Sequence, residues 1–496
     1  MTLLKAALEH SWLLGPWTRL AQTSGLQIAG WIERSRLMAP CRVLLASPKD
    51  SNKQFQRFGA TVRWMLTLGV LGLFVLLSFS STGIIGGLTG LLFGIVLAAA
   101  LLLRPAILSR LTIIDVLVGL FLGSAIISTA FSSFLPTSVI GLAKMLTFIA
   151  GYIVFRVVSE SGSSTITAAL GLLALIGLGE SLIGFYQYAN HIQPLATWSD
   201  QSINPELQMS RIFGTLQPSN PNLLAGFLIP GFAAACSLGL MFARPKTWLL
   251  SAIGLAASAA ILIALVLTGS RGGFLAIGTM FICLFAFLGH LIWYNPSLRN
   301  FKWMKPAWLI ILVVSLLTVG GGVMRSEKIR TRVLSMFAMR EDSSISYRLN
   351  VYNSARQMVR DNPIVGIGPG NGTFKLVYGL YMVPGYNALG AYSVPLEIAV
   401  EQGVIGLVIF LSLLLVLMLR AFLALDAPHL TLQQKILIGG LLTGILGSFM
   451  YGIFDTIWYR PSVNLLFWFM VAALATLTEP RPAASLSAKE PSRHAA

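Results

Sequence analysis

The stretch that decides the fold is residues 248–268, WLLSAIGLAASAAILIALVLT, which carries no charged side chain. An α-helix needs about 20 apolar residues to cross the hydrocarbon core of a bilayer, so this stretch predicts a transmembrane helix. Arg244 and Lys246 precede it, and the turn Thr268-Gly-Ser leads through Arg271 into a second apolar run. The two runs together predict a helical hairpin in a membrane.

Similar apolar runs recur along the rest of the chain. The 496 residues are 55% hydrophobic and only 11% charged, whereas a soluble domain carries about 25% charged residues, so a soluble globular protein is excluded. We predict an all-α, polytopic transmembrane helical bundle of about 12 spans. The predicted spans are residues 61–80, 82–103, 111–131, 137–158, 165–187, 222–242, 248–268, 272–293, 306–325, 392–419, 436–456 and 462–478.

Basic residues concentrate in alternate short connections between these runs, as Arg244 and Lys246 do. By the positive-inside rule those connections and both termini are cytoplasmic, which predicts a multi-pass protein of the inner (plasma) membrane. We therefore divide the chain into a cytoplasmic N-terminal segment (1–60), a transmembrane domain (61–478) and a disordered cytoplasmic tail (479–496). Cytoplasmic loops then account for the net charge of +17, and no nucleic-acid partner is expected.

Two outward connections, about 188–221 and about 326–391, are too long to be simple turns. The second predicts a large outward-facing loop subdomain between spans 9 and 10, and the segment from 325 to 375 has an excess of basic over acidic side chains. Long translocated segments escape the positive-inside rule, so this excess does not reverse the orientation. It indicates either an anionic ligand or salt bridges to lipid phosphates.

Within that connection, residues 344–361 have apolar side chains at helical spacing and end at Asn362-Pro, which predicts an amphipathic helix across the mouth of the bundle. Arg356 and Arg360 are four residues apart and share a face, and Arg348 is about 80° round from Arg356. Three guanidiniums could therefore converge on one phosphate-sized anion, which suits the forked geometry of arginine.

A glycine-rich run, GIGPGNG at 366–372, follows this helix. It looks superficially like a phosphate-binding loop, but it lacks the strand-turn-helix context of a dinucleotide fingerprint. Glycines in such runs mostly supply backbone conformations with positive φ, so a structural role is the favoured interpretation.

Three stretches, in this order and spacing, resemble the O-antigen ligase and polymerase superfamily over roughly residues 110–478. They are Arg211-Ile-Phe-Gly-Thr running to Ser219-Asn-Pro-Asn, then Thr268-Gly-Ser-Arg-Gly-Gly, and then Asn362-Pro-Ile-Val-Gly-Ile-Gly-Pro-Gly-Asn. The chain resembles a cyanobacterial branch, the IctB-type inorganic carbon (bicarbonate) transporter family, more closely still. That resemblance lies in Arg332-Val-Leu-Ser, Arg340-Glu-Asp-Ser-Ser, Ala391-Tyr-Ser-Val-Pro-Leu-Glu, Phe454-Asp-Thr and Tyr459-Arg-Pro.

The superfamily resemblance implies a metal-independent membrane glycosyltransferase with no cofactor. It would move a glycan from a polyprenyl-diphosphate carrier onto an acceptor at the outer face, a reaction that needs cations on the leaving diphosphate and a base on the acceptor hydroxyl. The predicted diphosphate-binding residues are Arg211, Arg271, Arg348 and Arg356. For Arg271, which begins a span, the alternative is a side chain that reaches to the lipid headgroups.

The position of the superfamily's catalytic histidine is held by Tyr392. A phenol with an ordinary pKa of about 10 is a poor general base at neutral pH. Glu397 and Glu401, one helical turn apart, are therefore further candidates for the catalytic group, and their alternative role is to cap a helix N-terminus. His191, the one histidine predicted to face outward, is a weaker substitute.

Two other functions stay open at this point. An inorganic carbon transporter or accessory protein would bind bicarbonate, and ionisable residues inside the spans, such as Lys144, could attract that anion. The sequence shows neither an internal repeat nor paired broken helices, the usual signs of alternating access, so this alternative rests on the resemblance alone. The other alternative is a non-catalytic glycan-binding membrane protein. The expected partners are a lipid-linked glycan or bicarbonate, and the bilayer.

Overall fold

The computed structural model describes residues 3–23, 69, 111–159, 162–193, 210–217, 219–298, 300–334, 343–456 and 459–479, and the regular secondary structure of these residues is entirely helical. Numbered in chain order among the described residues, the α-helices are α1 (Leu3–His10), α2 (Gly15–Ala21), α3 (Ile113–Ala130), α4 (Leu135–Ser159), α5 (Ser163–Ala189), α6 (Pro221–Met241), α7 (Trp248–Leu267), α8 (Arg271–Tyr294), α9 (Met304–Arg325), α10 (Glu327–Leu334), α11 (Ser343–Asp361), α12 (Asn371–Tyr378), α13 (Val394–Leu425), α14 (Leu432–Gly452) and α15 (Pro461–Leu477).

In this described part of the chain, eight helices are long and apolar enough to cross a membrane: α3 to α8, α13 and α14. The shorter apolar segment Met304–Thr318 of α9 and helix α15 coincide with two more of the predicted spans. The prediction of an all-helical, multi-pass membrane protein is confirmed. The spans predicted at 61–80 and 82–103 lie outside the described residues, so the total of about 12 stays a prediction.

Helix α6 forms the centre of the bundle. Its most apolar window is 94% buried, as expected for a helix that is hydrophobic on all sides. It packs against α5, α7 and α14. Gly239 of α6 meets Gly254 of α7 so closely that a Cβ on Gly254 would lie 2.7 Å from the Gly239 nitrogen. Small residues at this contact let the two backbones approach, which is how many membrane helices associate.

Contacts between helix ends define two ends of the bundle. We call one of them the site end. There the C-terminus of α7 contacts the loop before α6 through Thr268 and Arg211, and the end of α14 contacts the start of α6 through Tyr451 and Asn222. The opposite end joins the start of α3 to the ends of α4 and α15. Every functional residue predicted from the sequence lies toward the site end.

The predicted amphipathic helix at 344–361 is confirmed as α11. Its buried residues Val351, Ala355 and Met358 pack with Phe374 and Tyr378 of α12, forming a second apolar cluster toward the site end. That residues 326–391 form a separate subdomain on the outer side of a membrane stays a prediction. The predicted tail lies outside the described residues beyond Glu479.

Candidate functional site

The loop that carries Arg211 is held in place by α5. The carboxylate of Glu180 accepts hydrogen bonds from the Thr215 amide (2.8 Å) and the Thr215 hydroxyl (2.5 Å). About two turns further on, the side-chain oxygen of Gln187 accepts from the amides of Phe213 (3.0 Å) and Gly214 (2.9 Å). Glu180 and Gln187 are both buried. Their hydrogen bonds therefore hold the loop against the bundle.

The guanidinium of Arg211 reaches two other helix ends. Its Nε donates to the carbonyl of Thr268 at the end of α7 (2.7 Å), and an Nη donates to Oδ1 of Asn222 in the first turn of α6 (2.7 Å). Asn220 caps α6 by accepting from the Asn222 amide (2.8 Å). The motifs quoted around residues 211–222 and 268 therefore meet in space.

Arg271 lies beside this group as the first residue of α8. The preceding Gly269 has a φ of 59°, and Ser270 caps the helix by accepting from the Gly273 amide (3.4 Å). Arg271 is only 8% exposed, and its positive charge acts on Arg211. It therefore faces the protein interior at the site end instead of extending freely to lipid headgroups.

Asp455, just beyond α14, completes the cluster. Its Oδ2 lies 3.5 Å from an Nη of Arg348 and 3.4 Å from the hydroxyl of Tyr451, and its Oδ1 accepts from the Thr456 amide (2.7 Å). The Tyr451 hydroxyl donates to the carbonyl of Asn222 (2.7 Å). This network connects α11, α14 and α6 around one carboxylate.

The charges in this cluster are unbalanced in favour of the cations. Burial lowers the pKa of Arg211 to about 10, Tyr451 and Asp455 oppose that shift, and the positive charges of Arg271 and Arg348 add to it. The guanidinium of Arg211 stays charged at neutral pH. Among the described charged residues that act on it, two are arginines, Arg271 and Arg348, and one is an aspartate, Asp455. We call Arg211, Arg271 and Arg348 the arginine cluster.

Arg356 does not join the arginine cluster. It lies on the exposed face of α11 and hydrogen-bonds Asn353, one turn earlier on the same helix, at 3.4 Å. Arg348, eight residues before it, is half-buried and turns toward Asp455. The rotation of about 80° between the two positions is enough to separate a cluster-facing from a solvent-facing side chain. His191 is also exposed, at the end of α5.

Tyr392 lies against the arginine cluster. Its ring is 5.9 Å from the guanidinium carbon of Arg348 and is met edge-on by Tyr347, and its amide donates to the Thr456 hydroxyl (2.8 Å). Burial, followed by the proximity of Tyr347, raises the pKa of the Tyr392 phenol above its ordinary value. A phenol that holds its proton more firmly suits hydrogen-bond donation better than general-base catalysis.

Glu397 and Glu401 lie in the first turns of α13 and are 1% and 8% exposed. Oε1 of Glu397 accepts from the Thr456 hydroxyl (2.5 Å), whereas Oε2 is buried without a hydrogen-bond partner in the described part of the chain. Oε1 of Glu401 accepts from the hydroxyl of Tyr459 (2.5 Å). Burial at this depth does not fit a pair of carboxylates that merely hydrate a helix terminus.

The glycine-rich run supports the segment that carries these two carboxylates. Helix α13 is broken at Gly403, which has a φ of 69°. The carbonyls freed by this break accept from the glycine run, since the amide of Ile367 donates to Val400 (2.9 Å) and that of Gly368 to Glu401 (3.1 Å). The favoured interpretation, a structural role for the glycines, is confirmed by these bonds.

Comparison with known proteins points to one family. Residues 231–411 match the O-antigen ligase family model. The matched part includes all of the predicted site residues except Arg211, namely Arg271, Arg348, Arg356, Tyr392, Glu397 and Glu401, and it leaves Asp455 outside. No curated protein shows significant similarity to the chain. The match supports an O-antigen-ligase-like membrane protein, while the closer likeness to the IctB-type branch stays a prediction.

Sequence reasoning did not place Asp455, Tyr451 or Thr456 in the candidate site. Asp455 and Thr456 carried a usable signal, because both lie in the quoted stretch Phe454-Asp-Thr and because an acidic residue at the end of an apolar run is costly to bury and is usually functional. Tyr451 carried none, since it is an ordinary residue whose role depends on contacts with distant segments. Among the described residues, no group of three or more His, Cys, Asp or Glu side chains is arranged to hold a metal ion.

Proposed function

We propose that the arginine cluster binds the diphosphate of a polyprenyl-linked glycan and that the protein transfers this glycan to an acceptor hydroxyl at the outer face of the inner membrane. The observation that carries the proposal is that Arg271 and Arg348, from two distant stretches, lie close enough to act on Arg211, while Arg348 contacts Asp455 at 3.5 Å. A diphosphate would place negative charge beside these three cations, and arginines form paired hydrogen bonds with phosphate oxygens.

The arginine cluster would act mainly on the leaving group. As the oxygen of the acceptor attacks the anomeric carbon of the glycan, the bond from that carbon to the diphosphate oxygen breaks and negative charge builds up on the diphosphate. Guanidiniums already fixed around that position stabilise the developing charge without reorganising. Asp455 holds Arg348 in place through the 3.5 Å contact.

The acceptor hydroxyl must lose its proton in the same step, and Glu397 is the best-placed base. Oε2 of Glu397 has no hydrogen-bond partner among the residues that the structure describes, whereas Glu401 is engaged by Tyr459. The phenol of Tyr392 holds its proton too firmly. The Thr456 hydroxyl is hydrogen-bonded to Glu397 and to the Tyr392 amide. It therefore holds the proposed base at a fixed position beside the arginine cluster.

The proposal is tested by incubating the purified protein with a polyprenyl-diphosphate oligosaccharide and measuring release of polyprenyl diphosphate. We expect Arg271→Ala to reduce release by about 100-fold or more, because charge stabilisation of the leaving group is lost. The matched control is Arg244→Ala, an exposed arginine between α6 and α7 at the opposite end, which should release at the wild-type rate.

The same preparation separates the alternative functions. Saturable binding of the lipid-linked glycan without release would favour a non-catalytic glycan-binding protein. Uptake of labelled bicarbonate into proteoliposomes above that of empty vesicles, without any release of polyprenyl diphosphate, would favour the transporter. Either result would contradict the proposed transferase.

A further inference from the structure

A second polar site lies at the opposite end of the bundle, in a cavity of about 130 Å³. Its wall is formed by the end of α2, the last turns of α13, the connection from α13 to α14, and the end of α15. The polar residues that line it are Gln22, Arg420, His429, Thr478 and Glu479, and leucines and alanines form the apolar part of the wall. None of these residues takes part in the proposed transferase site.

Arg420 is the unusual member of this wall. It is only 2% exposed, and one Nη donates to the carbonyl of Thr478 at the end of α15 (2.7 Å). Its Nε and its other Nη are buried and have no hydrogen-bond partner among the described residues. Buried donors are nearly always satisfied by protein, water or ligand, so a guanidinium with two unsatisfied nitrogens indicates a missing acceptor.

The nearby acidic groups do not supply that acceptor. Asp115 is engaged by Arg156 at 3.3 Å and by the hydroxyl of Tyr152 at 2.5 Å. Glu479 shares the cavity wall, but in the described part of the chain it forms no ion pair with Arg420. The repulsion that Arg156 exerts on Arg420 is opposed by the attraction of Asp115 and Glu479. Two nitrogens of Arg420 nevertheless have no hydrogen-bond acceptor in the described part of the chain.

We propose that this cavity binds a phosphate-type anion, held by Arg420 with Gln22 and His429 as further polar contacts. One water needs only about 10–15 Å³ of such space, so the cavity has room for a tetrahedral anion. The oxygens of a phosphate accept several N–H donors at once, which matches the unsatisfied nitrogens of Arg420. The leucines beside them fit the glycerol and first acyl carbons of a phospholipid, so inorganic phosphate and an anionic lipid headgroup share the required chemistry.

The test is thermal unfolding of the full-length protein in detergent at constant ionic strength. One arm adds inorganic phosphate, and a second adds short-chain phosphatidylglycerol. We expect at least one of them to raise Tm by about 2–4 °C, because a ligand that binds only the folded state stabilises it. A response to phosphate identifies a free anion as a ligand, and a response to phosphatidylglycerol alone identifies a lipid headgroup. Both support the site.

Variants test whether the rise in Tm comes from binding in the cavity. Arg420→Gln should abolish the Tm rise, and Arg244→Gln, at an exposed arginine of the same end, should keep it. Ala427→Leu fills the cavity and leaves Arg420 in place, so it should also abolish the rise, and it decides the matter if Arg420→Gln does not fold. Glu479→Gln removes the negative charge from the wall and should enlarge the rise.

Three outcomes would overturn the proposal. The first is the absence of any Tm response to either ligand. The second is an equal response in wild type, Arg420→Gln and Ala427→Leu, or an equal loss in Arg244→Gln, since either pattern would indicate general surface binding. The third is a drop in Tm for ligand-free Glu479→Gln as large as that for Arg420→Gln, which would make Glu479 the true partner of Arg420.

Discussion

The Arg156–Asp115 pair and the arginine cluster lie at the two ends of the bundle and bury arginines in opposite ways. In the pair, at the opposite end, Arg156 is matched by Asp115 at 3.3 Å, and the same carboxylate accepts from the hydroxyls of Tyr152 and Thr112. In the cluster, at the site end, the charges of Arg271 and Arg348 act on Arg211 together with that of one aspartate, Asp455. A charge that is paired within the protein is already stabilised, whereas an excess of buried charge needs a partner from outside. The comparison teaches that charge balance, more than burial, separates a structural arginine from a binding one.

The largest expected effect is a loss of stability when the buried pair of Asp115 and Arg156 is broken. Asp115→Ala removes the carboxylate that faces Arg156 while the guanidinium stays buried, which should lower the free energy of unfolding by about 3–5 kcal/mol. Unfolding in mixed micelles measures this loss, and the double variant Asp115→Leu/Arg156→Met, which removes both charges, should recover most of it. The rate of polyprenyl diphosphate release per folded molecule should not change. A fall in that rate as large as for Arg271→Ala would erase the distinction between the two ends.

The next largest effect distinguishes the proposed base, Glu397, from Tyr392, which is expected only to support the site. Glu397→Gln keeps the shape of the side chain but removes the proton acceptor, so release of polyprenyl diphosphate should fall by about 100-fold or more. Binding of the lipid-linked glycan should be retained. Tyr392→Phe is the matched control and should stay within about threefold of wild type. A larger loss in Tyr392→Phe than in Glu397→Gln would assign the proton transfer to the phenol.

A smaller effect is expected where the glycine run supports α13. Gly366 has a φ of 71°, and a Cβ there would lie 2.4 Å from the carbonyl carbon of Glu401. Gly366→Ala should therefore cost about 1–3 kcal/mol of stability from strain and should also slow release by displacing Glu401. Gly385→Ala is a control, because Gly385 has a φ of 89° but no neighbour within 4 Å of the added carbon. Equal release by the two variants would argue that the glycine run does not position the carboxylates.

The smallest effect concerns the predicted fourth arginine. Arg356 is exposed and contacts only its own helix among the bonds described for it, so Arg356→Ala should change release by less than about twofold. Arg348→Ala, on the same helix, should behave like Arg271→Ala. If both arginine variants of α11 lose activity equally, the anion extends further along α11 than the arginine cluster indicates.

Much of the fold could be predicted because the signals are local. An uncharged run such as 248–268 predicts its own helix, and the Gly-Ser turn before Arg271 predicts a span that begins at that residue, as α8 does. The break at Gly403 could not be predicted, because glycine is common within transmembrane helices and does not by itself mark a break. Its cause is a set of bonds to the distant Ile367 and Gly368.

The candidate site was predictable in its cations but not in its organisation. Arg211, Arg271 and Arg348 lie in motifs, whereas the contact between Arg348 and Asp455 joins residues 107 positions apart. Arg356 was grouped with Arg348 because angles along a helix say which residues share a face. They do not say which arginine at the edge of the buried face finds a distant partner. Arg348 does so because Asp455 lies beside it, and no local pattern specifies that contact.

The most direct test of the arginine cluster is equilibrium binding of a polyprenyl diphosphate to the purified protein in nanodiscs, with Arg271→Ala and Asp115→Leu/Arg156→Met measured beside wild type. Unbalanced charge at the site end predicts that Arg271→Ala weakens binding by about 10-fold or more, while the double variant at the opposite end binds as wild type does. Wild-type affinity in Arg271→Ala, or equal weakening in both variants, would contradict the account.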